Sequence, residues 1–592
     1  MATINKIVID YDARKGQFII GCPIWANDVV RAIPSRRFMP KDKLWSAPAI
    51  RTNVNYMELN LKSASWSQLA LEKLAEVKNA VGNAVAPALP FPLHYPFKTQ
   101  PFRTQRLALE KAFGRTAFAF FKDMGTGKTK TLIDLACASR QHGLIETVII
   151  ICPIAVRKNW QREIAIHSPF PVDSYLLNTA KIKDFESWMN RPHDFKWLIV
   201  GVESLGIAKS ANEAVLGFLL KFKKTMTAID ESHKIKTHNA IRSERCHTIG
   251  RHSAYRVIMT GTPIAKGVMD IYSPFEFLDP NIIGCGDFYS FRNRYAVMGG
   301  HESREIIGYQ NMDELMEIIN PFIYQVRKEE ALPDLPPKLY TRRYVTLTEE
   351  QTKHYRTMAK DKIVISGDLQ MVVKNALTKA MRLQQITGGF LALQSTDPLT
   401  QQPITITEAI GTRNPKLQDV LEFCEEIGDK SVIIWCAFKP EIDAVVAALR
   451  DRYGHDDVVE VHGGRTEAQR DHDVNELFEK RKATKLVANL QTGGTGLTMV
   501  AAEAEYFFSN THNFVDRQQG EDRAHRKGQT KNVLIADVIS QINFNSALYD
   551  TVDILPVESN EVKKDLAEYV RGRIDELAAR GVSDISSIFG ID

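Results

Sequence analysis

The stretch from Thr116 to Thr129 constrains this chain more than any other. Thr116 to Phe121 is an apolar run that reads as a buried strand. Lys122-Asp123-Met124-Gly125-Thr126-Gly127-Lys128-Thr129 follows as a glycine-containing loop, and a helical pattern runs from Thr129 to about Arg140. Strand, loop and helix in that order make a cradle for a phosphate chain. Gly125 and Gly127, with Thr126 between them, let backbone N–H groups turn inward at a helix N-terminus. Lys128 is placed to reach the terminal phosphates and Thr129 to hold Mg²⁺. The full signature has a glycine five positions ahead of Gly127, and Lys122 stands there instead.

The loop has a partner further along. Lys224 to Ile229 is a short apolar stretch that ends in Asp230-Glu231-Ser232-His233. An acidic pair at a strand end can ligate Mg²⁺ through Asp230 and polarise an attacking water through Glu231. Read alone, the same four residues fit a solvated loop. Downstream of a phosphate loop they read as the hydrolytic half of one site. Gln105 lies just ahead of the phosphate-loop strand, where its amide can hydrogen-bond an adenine edge.

At 592 residues the chain has length for several domains, each with its own core. Composition is that of an ordinary globular protein, 44% hydrophobic and 25% charged. No apolar run approaches a membrane span, and Met1 to Lys15 lacks the apolar core of a signal peptide. The seven cysteines are scattered with no Cys-x-x-Cys pair, which fits a reducing compartment and suggests neither zinc ribbon nor disulfide framework. A net charge of +5 permits a nucleic-acid partner without arguing for one.

Residues 1–62 read as a small separate α+β unit. Lys6 to Tyr11 and Gln17 to Ile20 flank a hairpin turn, Val29 to Ile33 suits a helical turn, and Arg36 to Phe38 and Leu44 to Ser46 suit short strands. The unit holds ten Lys/Arg against five Asp/Glu, interleaved with Tyr11, Phe18, Trp25, Phe38 and Trp45. That composition suits nucleic acid. It equally suits a small domain whose aromatics are core, which on composition is the simpler reading. Residues 63–97 carry a helical pattern and then four prolines, Pro87, Pro90, Pro92 and Pro96, read as a linker. Beyond the phosphate loop, Thr147–Ile151, Trp197–Val200, the strand ending at Asp230 and Arg256–Met259 alternate with helical stretches. This predicts a parallel, doubly wound sheet with its motifs at the carboxyl strand ends. A second set runs through Val432–Cys436, Val458–Val461, Lys485–Asn489, Glu505–Phe508 and Val533–Val538, with no phosphate-loop lysine of its own. Arg523 and Arg526, three apart on a predicted helix, share a face there. They suit arginine fingers for a phosphate held elsewhere; a surface helix pairing with Glu521 and Asp522 is the competing reading.

In order, Gln105, Gly-Thr-Gly-Lys-Thr, Asp-Glu-Ser-His, Thr260-Gly261-Thr262-Pro263, Gly493-Gly494-Thr495-Gly496-Leu497-Thr498 and Gln519 to Gln529 resemble the superfamily-two helicase core. The form Asp522-Arg523-Ala524-His525-Arg526-Lys527-Gly528-Gln529 is similar to the Swi/Snf branch. Arg327-Lys328 with Leu335-Pro336-Pro337-Lys338, and Val345-Thr346-Leu347 with Gln351 and Tyr355, resemble that branch's connection into its second lobe. Thr498, together with Phe18, Ile33-Pro34, Arg37-Phe38 and Lys43-Leu44-Trp45, resembles the annealing-helicase subfamily and its HARP domain. The resemblance covers about residues 95–545.

It implies an α/β protein of two tandem RecA-like lobes, 98–335 and 336–545, behind the N-terminal module, with a helical tail from 546 to 592. It implies an ATP- and Mg²⁺-using, DNA-dependent ATPase that translocates on duplex or forked DNA and rewinds separated strands in DNA repair or replication. Lys128, Asp230, Glu231, Arg523 and Arg526 would carry the chemistry. Pro153, Lys158, Asn159, Glu203-Ser204, Thr260, Thr262, Gly494 and Thr498 would contact DNA backbone, which carries no sequence information. The expected location is intracellular: cytoplasmic or nucleoid-associated, or nuclear in a eukaryote. Two alternatives stay open: a strand-separating DNA or RNA helicase of the same superfamily, for which no wedge hairpin is evident in the sequence, and a non-hydrolysing DNA-binding scaffold. The intact Lys128, Asp230, Glu231 and Arg526 speak against the scaffold.

Overall fold

The apolar runs become strands largely where the sequence places them. The computed structural model describes residues 6–559 except 14–15, 34–35, 86–87, 194, 264–266, 300–304, 362, 367–368, 373–375, 397–401, 491–496, 512 and 545. The chain divides between Ala331 and Leu332 into two compact units, against an expected boundary after 335. The tail helix expected over 562–579 lies outside the described residues.

The first unit opens with a mixed sheet of β1 (Val8–Asp12), β2 (Gln17–Gly21), β3 (Arg37–Met39), β4 (Leu44–Pro48) and β5 (Ser65–Trp66), in the order β3-β4-β2-β1-β5. Its pairings are antiparallel except β1 with β5. The aromatics divide: Phe18 is fully buried, Phe38 packs tilted against Trp45 with ring centroids 4.9 Å apart, and Trp25 is 69% exposed. The sheet extends past the expected limit at 62, because β5 and the helix Gln68–Val85 close its core with Val54, Met57 and Val77. That helix packs on the first lobe at Pro280–Ile283 and Asn320–Phe322. Within the proline-rich stretch, residues 89–97 pack on the same lobe. Leu89 N–H donates to Phe113 O, and Tyr95 is buried in the lobe's core.

The first lobe is a seven-stranded parallel sheet. Its strands are β6 (Ala117–Lys122), β7 (Thr147–Cys152), β8 (Asp173–Leu176), β9 (Lys196–Gly201), β10 (Thr225–Asp230), β11 (Tyr255–Thr260) and β14 (Ile323–Val326). Their order is β14-β6-β11-β10-β7-β9-β8. Near-continuous apolar strands are what a sheet covered on both faces requires. Ala117, Ala119, Phe121, Ile149 and Ile151 face one core layer; Phe118, Phe120, Val148 and Ile150 face the other. Between β11 and β14 a separate antiparallel hairpin, β12 (Ala296–Gly299) and β13 (Glu305–Tyr309), forms its own sheet.

The second unit holds β15 (Lys338–Thr346), β20 (Val432–Cys436), β21 (Val458–Val461), β22 (Lys485–Asn489), β23 (Ala504–Phe507) and β24 (Val533–Phe544), parallel in the order β15-β24-β23-β20-β22-β21. The strand β25 (Ala547–Asp550) runs antiparallel on β24. A four-stranded antiparallel sheet, β16 (Ile363–Ser366), β17 (Leu369–Val372), β18 (Phe390–Thr396) and β19 (Pro403–Ala409), is inserted before β20. Among the described residues no helix is long and apolar enough to cross a membrane.

Candidate functional site

Strand order builds the site. Adjacent strands lie about 4.8 Å apart, and β6, β11 and β10 are neighbours. Their carboxyl ends therefore set the phosphate loop, Thr260–Pro263 and Asp230–Glu231 side by side, with Thr260 opposite Phe121 and Asp230 opposite Met259.

Gly125 and Gly127 both have φ of 79°, a left-handed backbone that glycine adopts without penalty, and the helix Lys128–Gln141 starts directly after. Gln105 is buried behind this turn. Its Nε2 donates to Gly127 O at 3.1 Å and its Oε1 accepts from Phe102 N–H at 2.8 Å. A Cβ on Gly127 would collide with the Gln105 amide. In this state the Gln105 side chain braces the loop with the amide atoms assigned by sequence to an adenine edge. Asp123 accepts from Lys328 N–H at 3.0 Å and ties the loop to the end of β14.

Lys128 Nζ donates to Lys122 O at 2.9 Å. Lys122 itself, the residue in the glycine position, is fully buried with its ammonium 2.9 Å from Thr131 Oγ1. Burial and the nearby Lys128 charge push its pKa down to about 7. Thr129 is half-buried in the first helical turn.

Asp230 accepts from the Trp160 indole at 3.0 Å, a bond the sequence did not announce. Burial and the Glu231 carboxylate raise Asp230 to about 6. Glu231 sits at φ 52°, a conformation costly for a non-glycine residue and frequent at functional sites. Its carboxylate meets His233 Nδ1 at 3.2 Å. His233 in turn lies 3.5 Å from Thr260 Oγ1, and a Cβ on Gly261 would sit 3.4 Å from Lys128 Nζ. Glu231, His233 and Thr260 thus form one line of polar contacts, and the space beside Gly261 is bounded by Lys128 Nζ and Lys122 O. Read from sequence, His233 had no role.

The residues expected to contact DNA differ in exposure. Thr260 and Thr262 are buried; the Thr260 hydroxyl accepts from Thr262 N–H at 3.0 Å, and no hydroxyl is exposed there for a DNA backbone. Pro153 is buried, while Lys158 is exposed and Asn159 half-exposed. Glu203 and Ser204 lie in a short helix, Val202–Ile207, and Glu203 accepts from Ile154 N–H at 3.0 Å. Gly494 lies outside the described residues.

In the second lobe the shared helical face of Arg523 and Arg526 is corrected. The helix Phe514–Ala524 ends before Arg526. His525 Nε2 binds Pro336 O at 2.6 Å, and the Gln529 amide donates to the carbonyls of Val500 and Ala502, which draws the chain off the helix axis. The two arginines still converge: Arg523 donates to Leu497 O at 2.9 Å and Arg526 to Thr498 Oγ1 at 3.0 Å. Glu521 and Asp522 do not make a surface helix. Both are buried and held by Lys338, with Arg517 also on Glu521. Burial alone would raise Glu521, but Lys338 and Arg517 outweigh it and bring it down to about 2.

A parallel sheet carrying a phosphate loop and an acidic pair on neighbouring strand ends, followed by a loop-less second parallel sheet bearing two convergent arginines, defines the class of two-lobed RecA-like nucleoside triphosphatases. The chain matches the SNF2-related domain over residues 115–388 and the helicase conserved C-terminal domain over 415–528. It belongs to the Swi/Snf family of superfamily-two ATP-dependent helicases and translocases. YwqA of Bacillus subtilis (strain 168), named for an ATP-dependent helicase/translocase, is 24% identical over 527 residues, 88% of this chain and 53% of its own. The ISWI chromatin-remodeling complex ATPase CHR17 of Arabidopsis thaliana is 24% identical over 428 residues, 70% of this chain and 37% of its own. This chain therefore spans about half, or less, of the length of those relatives. Among solved structures, the Sulfolobus solfataricus SWI2/SNF2 ATPase core in complex with dsDNA aligns with 76% of this chain and 90% of its own at 20% identity, with a TM-score of 0.35.

Proposed function

We propose that this chain hydrolyses ATP with Mg²⁺ and uses the cycle to translocate along duplex or branched DNA. The observation that carries the reading is the placement of the phosphate loop, Thr260 and the Asp230–Glu231 pair on neighbouring strand ends of one lobe, with Glu231 on His233 and His233 beside Thr260. The backbone N–H groups of the loop bind the phosphate chain, and Lys128 leaves Lys122 O for the terminal phosphates. Glu231 orients the attacking water while His233 fixes its carboxylate. Trp160 holds Asp230.

The donors fit a divalent cation. Burial and the neighbouring Glu231 carboxylate raise the proton affinity of Asp230, a cost that a nearby cation relieves. Thr129 and Asp230 are the residues that would hold Mg²⁺. When bound, the ion neutralises charge on the phosphates. Arg523 and Arg526 are supplied from the second lobe in the working cycle, as fingers on the transferring phosphate.

The finer reading concerns the N-terminal module. Its exposed Trp25, the Phe38–Trp45 pair and its surplus of Lys/Arg support a role in recognising forks during strand reannealing, in the manner of a HARP domain, within intracellular DNA repair or replication. ATP turnover measured side by side with single-stranded, duplex and forked DNA tests the motor reading. Duplex-containing DNA should stimulate most, and binding should weaken with salt as phosphate contacts release counterions. Stimulation by RNA or single strands alone overturns it.

A further inference from the structure

Lys122 stands where the phosphate-loop signature has glycine, as the last residue of β6, and its side chain is wholly buried. Its amine lies 2.9 Å from the Thr131 hydroxyl. That hydroxyl gives its own proton to Gly127 O at 3.0 Å, so the Lys122 amine is the donor to it. Gly127 O also accepts from Thr131 N–H at 3.1 Å and from Gln105 Nε2 at 3.1 Å. The left-handed turn at Gly127 is thereby braced from β6 on one side and from the helix Arg103–Ala112 on the other. The main chain of Lys122 has a second part: its carbonyl accepts from Lys128 Nζ at 2.9 Å. One residue supports the loop through its side chain and parks the phosphate-binding cation on its backbone.

Among the described residues no carboxylate forms an ion pair with the Lys122 amine. Burial opposes its charge, and the Lys128 charge nearby opposes it further. Together they bring it down to about 7, against a smaller upward pull from Glu330 on the short helix Lys328–Ala331. The flanking strands add no charge at this level: Val326 of β14 pairs with Lys122, and Thr260 of β11 stands opposite Phe121. Asp123, the next residue, accepts from Lys328 N–H. Near neutral pH the empty site therefore holds this amine between its two forms. A triphosphate changes both opposing terms. It draws Lys128 off the Lys122 carbonyl and screens that charge, and its own negative charge favours an ammonium behind the loop.

We propose that Lys122 is a positioning residue of the ATP site that takes up a proton from solvent as the triphosphate binds, and then holds the loop through Thr131 and Gly127 as an ammonium. The second positive charge steadies the phosphate chain from behind Gly127 without touching it. The proposal rests on the ATP-binding reading of the first lobe and deepens it: binding is coupled to protons and tightens as pH falls toward neutrality.

The test uses the full chain, Mg²⁺ with the slowly hydrolysed thiophosphate analogue of ATP, and calorimetry in two buffers of different ionisation enthalpy. At pH 8 roughly one Lys122 side chain in ten is charged in the empty site, so binding should take up as much as about 0.9 proton. Asp230 is almost fully ionised at that pH and adds almost nothing. Affinity should fall about fivefold between pH 7 and pH 8. Lys122→Met, and Lys122→Gln with its amide still able to donate, should lose both the uptake and this fall. A residue that only braced the loop would leave the proton count and the pH dependence unmoved. Wild-type binding without uptake at pH 8 overturns the proposal, as does either variant taking up as many protons as wild type. If the wild type binds with uptake but turns over ATP on no DNA, the role of Lys122 stands and the motor reading fails. If the analogue does not bind at all, both fall.

Discussion

Lys128 holds a carbonyl of its own loop, so the residue that must bind phosphate is already positioned but not yet committed. Lys128→Ala should abolish ATP turnover and weaken binding. Glu231→Gln should keep binding and lose hydrolysis, because the cradle is intact while the water-orienting charge is gone; radiolabelled ATP retention beside phosphate release separates the two. Asp230 gives a pH signature. With its carboxyl raised to about 6, it is about half protonated at pH 6 and almost fully ionised at pH 8. A bound cation favours the ionised form, so binding of Mg²⁺ and ATP should release up to about half a proton at pH 6 and almost none from this group at pH 8. Calorimetry in two buffers of different ionisation enthalpy, with Asp230→Asn as control, reads that difference.

Helices and strands carry the next level of consequence. Arg526→Ala should leave ATP binding nearly intact and lower turnover by about a thousandfold or more, measured at saturating DNA. Glu505 is buried at a central position of β23, with its carboxylate on the Trp435 indole at 2.7 Å. Burial, with the Glu521 charge adding, raises it from an ordinary 4.5 to about 8. A carboxyl raised on folding stabilises below its unfolded pKa, and that stability drains away as pH climbs through the folded value. Glu505→Gln mimics the protonated form. Its melting temperature should match wild type near pH 5 and exceed it near pH 8.5. Most strands of both lobes were legible because buried parallel strands are simple apolar runs, while β8, β14 and β15 were not, and the phosphate loop and acidic pair stood out because they follow such runs at strand ends. The end of the helix at Ala524 was not, since Pro336 and the Val500 and Ala502 carbonyls that pull the chain away are tertiary partners. The hairpin β12–β13 was also hidden: with Gly299 at its strand end and a register shift, it shows no clean alternation. The inserted sheet β16–β19 left no assignment at all.

For the whole molecule, the N-terminal sheet shares a compact unit with the first lobe through the helix Gln68–Val85. A cut after residue 62 would strip β5 of its partner β1, so removal belongs after Val85, which spares the Leu89–Phe113 contact and Tyr95. The truncated chain should keep its ATPase on linear duplex within a few-fold and lose preference for forks over linear DNA at matched salt. Retained preference removes the fork-recognition role of the module.

The pairing of β15 with β24 reaches from Lys338 to Val533. A growing chain therefore emerges with its nine-residue β15 complete long before the strand that will hold it exists. Until then β15 has a free hydrogen-bonding edge and exposed tyrosines at 340 and 344, a template for pairing with the wrong chain. Lobe two cannot close its sheet residue by residue as it is synthesised; it must wait and then assemble around its last parallel strand. Chaperone demand during production, and aggregation of any fragment that stops short of residue 533, follow from that late partner.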